Sequence, residues 1–362
     1  MSDGIGQRKV DHLTLCATGD VAFRGKTTLF EEVALIHDAL PELDASEIDT
    51  SCRLLGKTLR APFVIAAMTG GTDEAARVNR ELASVAEERG WGFGLGSQRA
   101  MHVKGASSAT YRVRDVAPTT LVLGNLGAVQ AAKMTTREVA ALVAEVGADA
   151  LCVHLNPAME LVQPGGDRDF RGCADALARL ARELDVPVVA KETGCGLSAR
   201  AARRIKDAGV RAVDVSGAGG TSWVAVETHR AKDAGDVAAR ALGEALWDWG
   251  VPTAASVAIC AASGLSQVVA TGGVATGVDV AKAIALGATA GGIARPMLKA
   301  LTAGGRAGAL AFAEAAEAEL RAVMLLTGSR TLADLARAPR VLGSTLRAWI
   351  EADPLPKPAI SL

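Results

Sequence analysis

Glycine clusters that follow short apolar runs are the residues of this sequence with the clearest chemical use. One is Asp-Val-Ser-Gly-Ala-Gly-Gly-Thr at 214–221, and three more lie at 68–71, 271–273 and 291–295. Glycines in a tight turn leave backbone N–H groups bare, and successive bare N–H groups form a concavity that binds phosphate. A single glycine pair is more often an ordinary turn. Four clusters together predict one large phosphate-bearing ligand that is held from several sides.

Lys191 is a cation inside an otherwise apolar run. A buried lysine is costly unless it is paired, so a solvated surface role is not expected. Its ammonium suits a Schiff base or the stabilisation of an electron-rich ring. A purely structural ion pair with Glu192, the next residue, is the alternative.

Other polar side chains follow two further predicted strands. His154, Asn156 and Glu160 follow one of them, and Ser-Gln-Arg at 97–99 ends the other. One carboxylate among neutral polar groups suits Mg2+, which keeps most of its waters and takes a substrate phosphate as co-ligand. The guanidinium of Arg99 suits phosphate recognition. A glutamate alone on a loop is more often solvated, so the prediction that Glu160 binds a metal depends on the polar residues beside it.

These side chains need a scaffold that brings strand ends together, and the apolar pattern predicts one. Segments with helical spacing separate eight strand-like runs, at residues 62–69, 92–97, 120–126, 150–156, 187–192, 212–216, 267–271 and 290–294. Alternating runs of this number match an α/β fold, the (β/α)8 TIM barrel, whose strands end at one common mouth. A doubly wound sheet is the alternative, but the GxGxxG that usually follows its first strand is absent from the sequence.

We therefore predict one domain overall, a (β/α)8 TIM barrel with an N-terminal extension and C-terminal helices. The extension covers residues 1–61, and the barrel with its C-terminal helices covers residues 62–362. Thr135 or Thr136 is predicted to cap the helix after the third strand, because threonine is a preferred N-cap. Residues 300–351 are predicted to be helical.

Composition excludes several classes of partner. The 39 basic and 40 acidic residues leave a net charge of −1, which gives no support to binding of nucleic acid or membrane. The six cysteines are scattered without metal-ligand spacing, which predicts reduced thiols. The polar N-terminus has no apolar segment of a secretory signal, so we expect a cytoplasmic protein.

Eight short motifs occur along the chain in one order: Arg8-Lys9-x-Asp11-His12, Met68-Thr69-Gly70-Gly71, Gly96-Ser97-Gln98-Arg99, Asn125-Leu126-Gly127-Ala128, His154-Leu155-Asn156-Pro157, Gly166-Asp167-Arg168, Lys191-Glu192-Thr193-Gly194 and Ser216-Gly217-x-Gly219-Gly220-Thr221-Ser222-Trp223. This set, which covers about residues 8 to 298, resembles the type 2 isopentenyl-diphosphate isomerase family. Each motif is short, but together and in this order they are highly specific.

The resemblance implies an enzyme that binds FMN and Mg2+ and converts isopentenyl diphosphate reversibly to dimethylallyl diphosphate. In that family the flavin must be reduced, commonly by NAD(P)H, and it serves as the acid and base itself. By the resemblance, FMN would contact Ala67, Met68, Thr69, Ser97, Asn125, Lys191, Ser216, Thr221, Gly272, Gly273, Ala294 and Arg295. The substrate would contact Arg8, Lys9, Ser97, Gln98, Arg99, His154, Asn156 and Met159, and Glu160 would bind the metal. Lys191 beside the flavin would favour its anionic reduced form.

Met159 is the main departure from the family pattern. The family usually has glutamine immediately before the metal-binding glutamate, whereas a thioether cannot donate a hydrogen bond. Loss of that amide would alter or abolish activity. Gln163 lies four residues further on and would reach the same place if the segment turns helically.

Two other classes of function remain open at this point. One is an FMN barrel that is a true oxidoreductase, acting on a hydroxy acid or a nucleotide. The other is a non-catalytic protein that binds flavin or prenyl phosphate, which Met159 alone keeps open. The resemblance also favours a homo-oligomer, a tetramer or an octamer, and a small-molecule prenyl diphosphate as partner.

Overall fold

Eight parallel strands close into a barrel in the computed structural model, which describes residues 11–12, 14–16, 19–104 and 108–352. The strands are β1 (Phe63–Ile65), β2 (Gly92–Gly94), β3 (Leu121–Gly127), β4 (Ala150–Leu155), β5 (Val188–Glu192), β6 (Ala212–Asp214), β7 (Gln267–Ala270) and β8 (Ala290–Ile293). Each strand pairs with its neighbours in sequence, and β8 pairs with β1. The predicted TIM barrel is confirmed, and the doubly wound sheet is excluded.

Helices follow the strands and surround the barrel. They are α1 (Asp73–Arg89), α2 (Arg99–Lys104), α3 (Ala128–Lys133), α4 (Thr136–Glu145), α5 (Pro157–Val162), α6 (Cys173–Glu183), α7 (Ala199–Asp207), α8 (Trp223–Asp233), α9 (Val237–Ala245), α10 (Thr253–Ala262), α11 (Gly277–Ala285), α12 (Arg295–Leu326), α13 (Leu332–Arg337) and α14 (Ser344–Ala352). Thr135 caps α4, and Glu138 completes a capping box with it. Within the described ranges, none of these helices has the length and apolar character needed to cross a membrane.

Residues 300–351 are not helical throughout, which corrects the prediction. Arg340–Leu342 forms a strand that pairs antiparallel with Val33–Leu35. Pro339 explains the change, because the residue before a proline is biased away from helical geometry, and Ala338 indeed has a non-helical ψ of 136°. This small sheet attaches the C-terminal region to the N-terminal extension.

The N-terminal extension covers both ends of the barrel. A hairpin of Cys52–Leu54 and Lys57–Leu59 buries leucine side chains against residues inside the barrel floor. The backbone N–H of Leu55 donates to Gln267 Oε1 at 2.8 Å at the start of β7. At the opposite end, the guanidinium of Arg295 donates to the carbonyl of Gly19 at 2.7 Å. The extension therefore closes the floor and lies beside the mouth where the strands end.

Candidate active site

A cleft of about 530 Å³ opens at the carboxyl ends of the strands, with residues contributed by all eight strand–loop junctions. The sequence-predicted site residues that line it are Ala67, Met68, Thr69, Ser97, Arg99, Asn125, His154, Asn156, Met159, Glu160, Lys191, Ser216, Thr221, Gly272, Gly273, Ala294 and Arg295. Residues that are more than 200 positions apart in the sequence are thus neighbours in space, as barrel geometry requires.

Gln98 does not line the cleft, contrary to the prediction. Its side chain is fully buried; Nε2 donates to the carbonyl of Leu142 at 2.8 Å, and Oε1 accepts the N–H of Asn125 at 2.9 Å. Both ends of the amide are therefore used to join β3 and α4. Arg8 and Lys9, the other predicted substrate contacts, lie outside the described residues.

The sequence assigns no role to several further residues that line the cleft. They include His12, Cys16, Gln130, Trp223, Leu298 and Lys299. His12 and Trp223 stand inside motifs that signalled the family, and their rings meet edge to face with centroids 5.2 Å apart. Gln130 and Lys299 lie in helices, one turn beyond β3 and β8, where the sequence carried no distinctive signal.

The glycine turns after β6 and β7 pack backbone against backbone. Gly272 has a φ of 93°, and a Cβ added there would overlap the backbone of Gly217. A Cβ at Gly220 would likewise overlap the backbone of Gly273. Only glycine permits this close approach, because it has no side chain, and at residue 272 it also permits the positive φ. The turns predicted to bind phosphate therefore form one continuous backbone cradle at the cleft.

Thr69 gives an independent indication that the cleft accepts a polar ligand. Its side chain is 5% exposed, and among the residues that the structure describes its hydroxyl has no hydrogen-bond partner. A buried hydroxyl is normally satisfied, so an unsatisfied one at a cleft surface suits contact with a bound group. This hydroxyl and the glycine cradle together make the cleft suitable for a phosphate-bearing cofactor such as FMN.

Lys191 is paired, but with Asp214 rather than Glu192. Its Nζ lies 3.2 Å from Asp214 Oδ2 and donates to the backbone carbonyl of Glu192 at 3.0 Å. The Glu192 carboxylate instead accepts the backbone N–H groups of Cys195 and Gly196. Burial raises the pKa of Glu192 to about 8, although these N–H donors oppose the rise. The alternative of a structural Lys191–Glu192 ion pair is therefore not observed, because the two side chains point to opposite sides of the strand.

Glu160 is a buried carboxylate that is held by neutral donors. Its Oε1 accepts from Asn156 Nδ2 at 2.9 Å, and its Oε2 accepts from the N–H of Asp167 at 2.8 Å and from Gln163 Nε2 at 3.3 Å. Within the described residues, no Lys or Arg side chain forms an ion pair with it, nor is there a cluster of three or more His, Cys, Asp or Glu side chains. A buried carboxylate with neutral donors and no ion pair fits a divalent ion that takes its other ligands from substrate and water.

Met159 and Gln163 both line the cleft beside Glu160. At the end of helix α5 the Gln163 amide donates to Glu160 Oε2, and its replacement of the amide missing at residue 159 stays a hypothesis. The Met159 sulfur lies 4.0 Å from Asn156 Nδ2. Gln163 thus supplies a buried amide at the carboxylate that Met159 cannot.

The remaining polar groups at the mouth are arranged for an anion. Arg99 Nη1 lies 3.9 Å from Asp167 Oδ2, and among the described residues the buried Nε of Arg99 has no hydrogen-bond partner. His154 Nδ1 lies 2.8 Å from Asn125 Oδ1, whose amide is oriented by donation from Nδ2 to Leu95 O. Because an amide oxygen only accepts, His154 Nδ1 is the donor in this hydrogen bond.

The fold and the cleft correspond to the class of FMN-dependent dehydrogenases. The family model described as FMN-dependent dehydrogenase matches residues 2–160 and 158–341. Solved structures of mandelate oxidase are similar in fold: one with a monooxide FMN adduct has a TM-score of 0.63 at 18% identity and covers 91% of this chain and 95% of that one. Another, with benzoyl-formic acid, has a TM-score of 0.61 at 18% identity and covers 93% of this chain and 94% of that one.

Curated relatives narrow the class. Isopentenyl-diphosphate delta-isomerase of Methanothermobacter thermautotrophicus is 43% identical over 348 residues, which is 96% of this chain and 96% of the relative. The protein of that name in Methanosarcina acetivorans is 44% identical over 349 residues, 96% of this chain and 95% of the relative. The chain belongs to the isopentenyl-diphosphate delta-isomerase family.

Proposed function

We propose that this protein catalyses the reversible isomerisation of isopentenyl diphosphate to dimethylallyl diphosphate with reduced FMN. The observation that carries the proposal is the cleft itself. It places a glycine cradle, the paired Lys191, the phosphate-suited Arg99 and the buried Glu160 around one volume. The relatives named for this activity are 43% and 44% identical over nearly the whole chain, which supports the same chemistry here.

The backbone turns after β6 and β7, with Thr69 and Lys191, would hold FMN. When bound and reduced, by NAD(P)H, FMN supplies the acid and base for the proton shift of the alkene. The protein groups supply binding and charge: the Lys191 ammonium favours negative charge on the reduced ring, since it is a buried cation. The apolar side chains of Met68, Trp223 and Leu298 line the same cleft and would exclude water from the hydrocarbon part of the substrate.

Arg99, His154 and Asn156 would bind the diphosphate, and Glu160 would bind Mg2+ that also contacts it. Arg99 donates in a fork geometry suited to phosphate, and its unsatisfied Nε supports this role. Arg8 and Lys9, two cations of an N-terminal arm within residues 1–61, would contact the diphosphate as well. A homo-oligomer, tetramer or octamer, in the cytoplasm also belongs to this proposal, on the strength of the family alone.

Transfer of deuterium tests the function directly. When the protein with reduced FMN and Mg2+ is incubated with isopentenyl diphosphate in D2O, we expect dimethylallyl diphosphate that carries deuterium. An oxidoreductase of the FMN-dependent dehydrogenase type would instead reduce its flavin with another substrate, and a non-catalytic protein would give neither result. Absence of a deuterated allylic product at saturating substrate would contradict the proposal.

Replacement of Gln163 by alanine tests whether its amide compensates for Met159. We expect kcat to fall by about 10- to 100-fold, because a hydrogen bond to a charged group contributes about 1.5–3 kcal/mol. Gln267→Ala is the matched control, since Gln267 also uses its amide in a hydrogen bond but lies at the barrel floor. Unchanged turnover in Gln163→Ala would rule out compensation.

A further inference from the structure

Asp214 is a buried carboxylate to which the proposed function gives no role. It ends β6, directly before the glycine-rich turn, and it is 6% exposed. Its Oδ2 lies 3.2 Å from Lys191 Nζ, while Oδ1 accepts from the hydroxyl of Thr271 and, at 3.2 Å, from the backbone N–H of Ser216. One carboxylate therefore binds three residues of the cleft wall.

The three partners come from the ends of three adjacent strands. Lys191 lies on β5, Ser216 follows β6 and Thr271 follows β7. Ser216 has a φ of 36°, which is uncommon for a residue other than glycine, and its hydroxyl accepts the N–H of Gly194. Asp214 thus fixes the lysine, the left-handed serine and the threonine relative to one another, just below the turns predicted to hold the cofactor.

The charge of this network is balanced within one pair. The side chains of Lys191 and Asp214 are each 9% exposed, so little solvent screens their attraction. Among the described residues, Asp214 is the carboxylate in ion-pair contact with Lys191, because the Glu192 carboxylate turns toward the N–H groups of Cys195 and Gly196.

We propose that Asp214 is a positioning residue that holds the Lys191 ammonium at the cleft and, by its own charge, limits how strongly this ammonium favours an anionic reduced flavin. The inference rests on the proposed flavin site. In the intact pair, the charges of Lys191 and Asp214 cancel beside the cofactor. Removal of the carboxylate charge leaves a net positive charge there, which stabilises the anionic reduced form of the flavin relative to the oxidised form.

Asp214→Asn tests this with two measurements that do not depend on turnover. The dissociation constant of oxidised FMN is measured by fluorescence titration of the flavin-free protein, and the midpoint potential of bound FMN is measured against reference dyes. We expect oxidised FMN to bind roughly tenfold more weakly relative to reduced FMN, which raises the potential of this two-electron couple by about 30 mV. An unchanged potential would overturn the proposal.

Two further comparisons separate positioning from a general structural effect. In a Lys191→Met chain, Asp214→Asn is expected to shift the potential much less than in the wild type, because a buried carboxylate that has lost its cation is no longer kept charged, so that little charge is left to remove. An equal shift in both backgrounds would overturn the proposal. Asp149→Asn is the matched control: Asp149 also pairs with a lysine, Lys57 at 2.9 Å, but at the barrel floor, so the potential should stay unchanged.

A second charge-removing variant covers the case in which Asp214→Asn does not fold. Asp214→Ser is smaller, keeps an oxygen that accepts the N–H of Ser216, and is expected to shift the potential in the same direction. A shift of opposite sign would contradict the inference. Failure of the wild-type chain to bind FMN at all would instead contradict the proposed function, so the two failures are distinguishable.

Discussion

Replacement of Glu160 by glutamine is expected to lower kcat/KM for isopentenyl diphosphate by about 10²–10³-fold, the loss typical of removing one electrostatic group from an active site. The carboxylate is buried and accepts from Asn156, Gln163 and the N–H of Asp167. Glutamine keeps the size and one acceptor oxygen but lacks the negative charge that attracts a divalent cation. The rate should therefore also need a much higher Mg2+ concentration to reach saturation.

Glu87→Gln is the matched control for this experiment. Glu87 is likewise held by neutral donors, the backbone and side chains of Thr119 and Thr120, but it lies where β3 begins, at the barrel floor. Burial raises its pKa, but these hydrogen bonds outweigh burial and lower the pKa to about 2. The charge of Glu87 thus stabilises the fold at neutral pH, and this stabilisation is lost as pH falls toward 2. Glu87→Gln should therefore lower the stability of the fold but leave the Mg2+ dependence of the rate unchanged. A Mg2+ dependence unchanged in Glu160→Gln would exclude the metal role.

The barrel could be predicted because its strands are buried on both faces. Each of the eight runs is nearly continuous in apolar residues and is bounded by glycine or polar residues, so its position is visible without any knowledge of pairing. The strand ends were less accurate. The apolar pattern predicts a first strand that reaches residue 69, whereas β1 ends at Ile65, because the apolar residues beyond it turn into the cleft wall.

Side-chain direction is what the sequence predicted least well. Gln98 is adjacent to Arg99 and shares its motif, yet only Arg99 lines the cleft. The direction of Gln98 is decided by the carbonyl of Leu142 on α4, a partner 44 positions away. Nothing local to residues 97–99 signals that contact.

The ion-pair partner of Lys191 can in principle be predicted from the sequence. Lys191 and Asp214 are directly opposite in the register of β5 and β6, and neighbours in a parallel pair place their side chains on the same face. Glu192 follows Lys191 in the chain and therefore faces the other way. Once a barrel is predicted, a charged residue near the end of one buried strand is better matched with the adjacent strand than with its neighbour in sequence.

Gly272→Ala is expected to weaken FMN binding by about a hundredfold, or about 2.8 kcal/mol. The added Cβ would overlap the backbone oxygen and nitrogen of Gly217, so the turn after β7 must move away from the turn after β6. That movement displaces backbone N–H groups of the predicted phosphate cradle, and each charge-assisted hydrogen bond contributes about 1.5–3 kcal/mol. The dissociation constant of oxidised FMN, measured by fluorescence titration, checks the expectation.

Gly235→Ala separates this crowding from the ordinary cost of alanine in a left-handed conformation. Gly235 has a φ of 71°, comparable with the 93° of Gly272, but it lies between α8 and α9 with no heavy atom within 4 Å of an added Cβ. Both variants should lose about 1–2 kcal/mol of stability from the backbone conformation. Only Gly272→Ala should lose affinity for FMN as well. Equal FMN affinity in the two variants would show that the close approach of the turns is not what binds the phosphate, and the glycine cradle would then be a feature of folding alone.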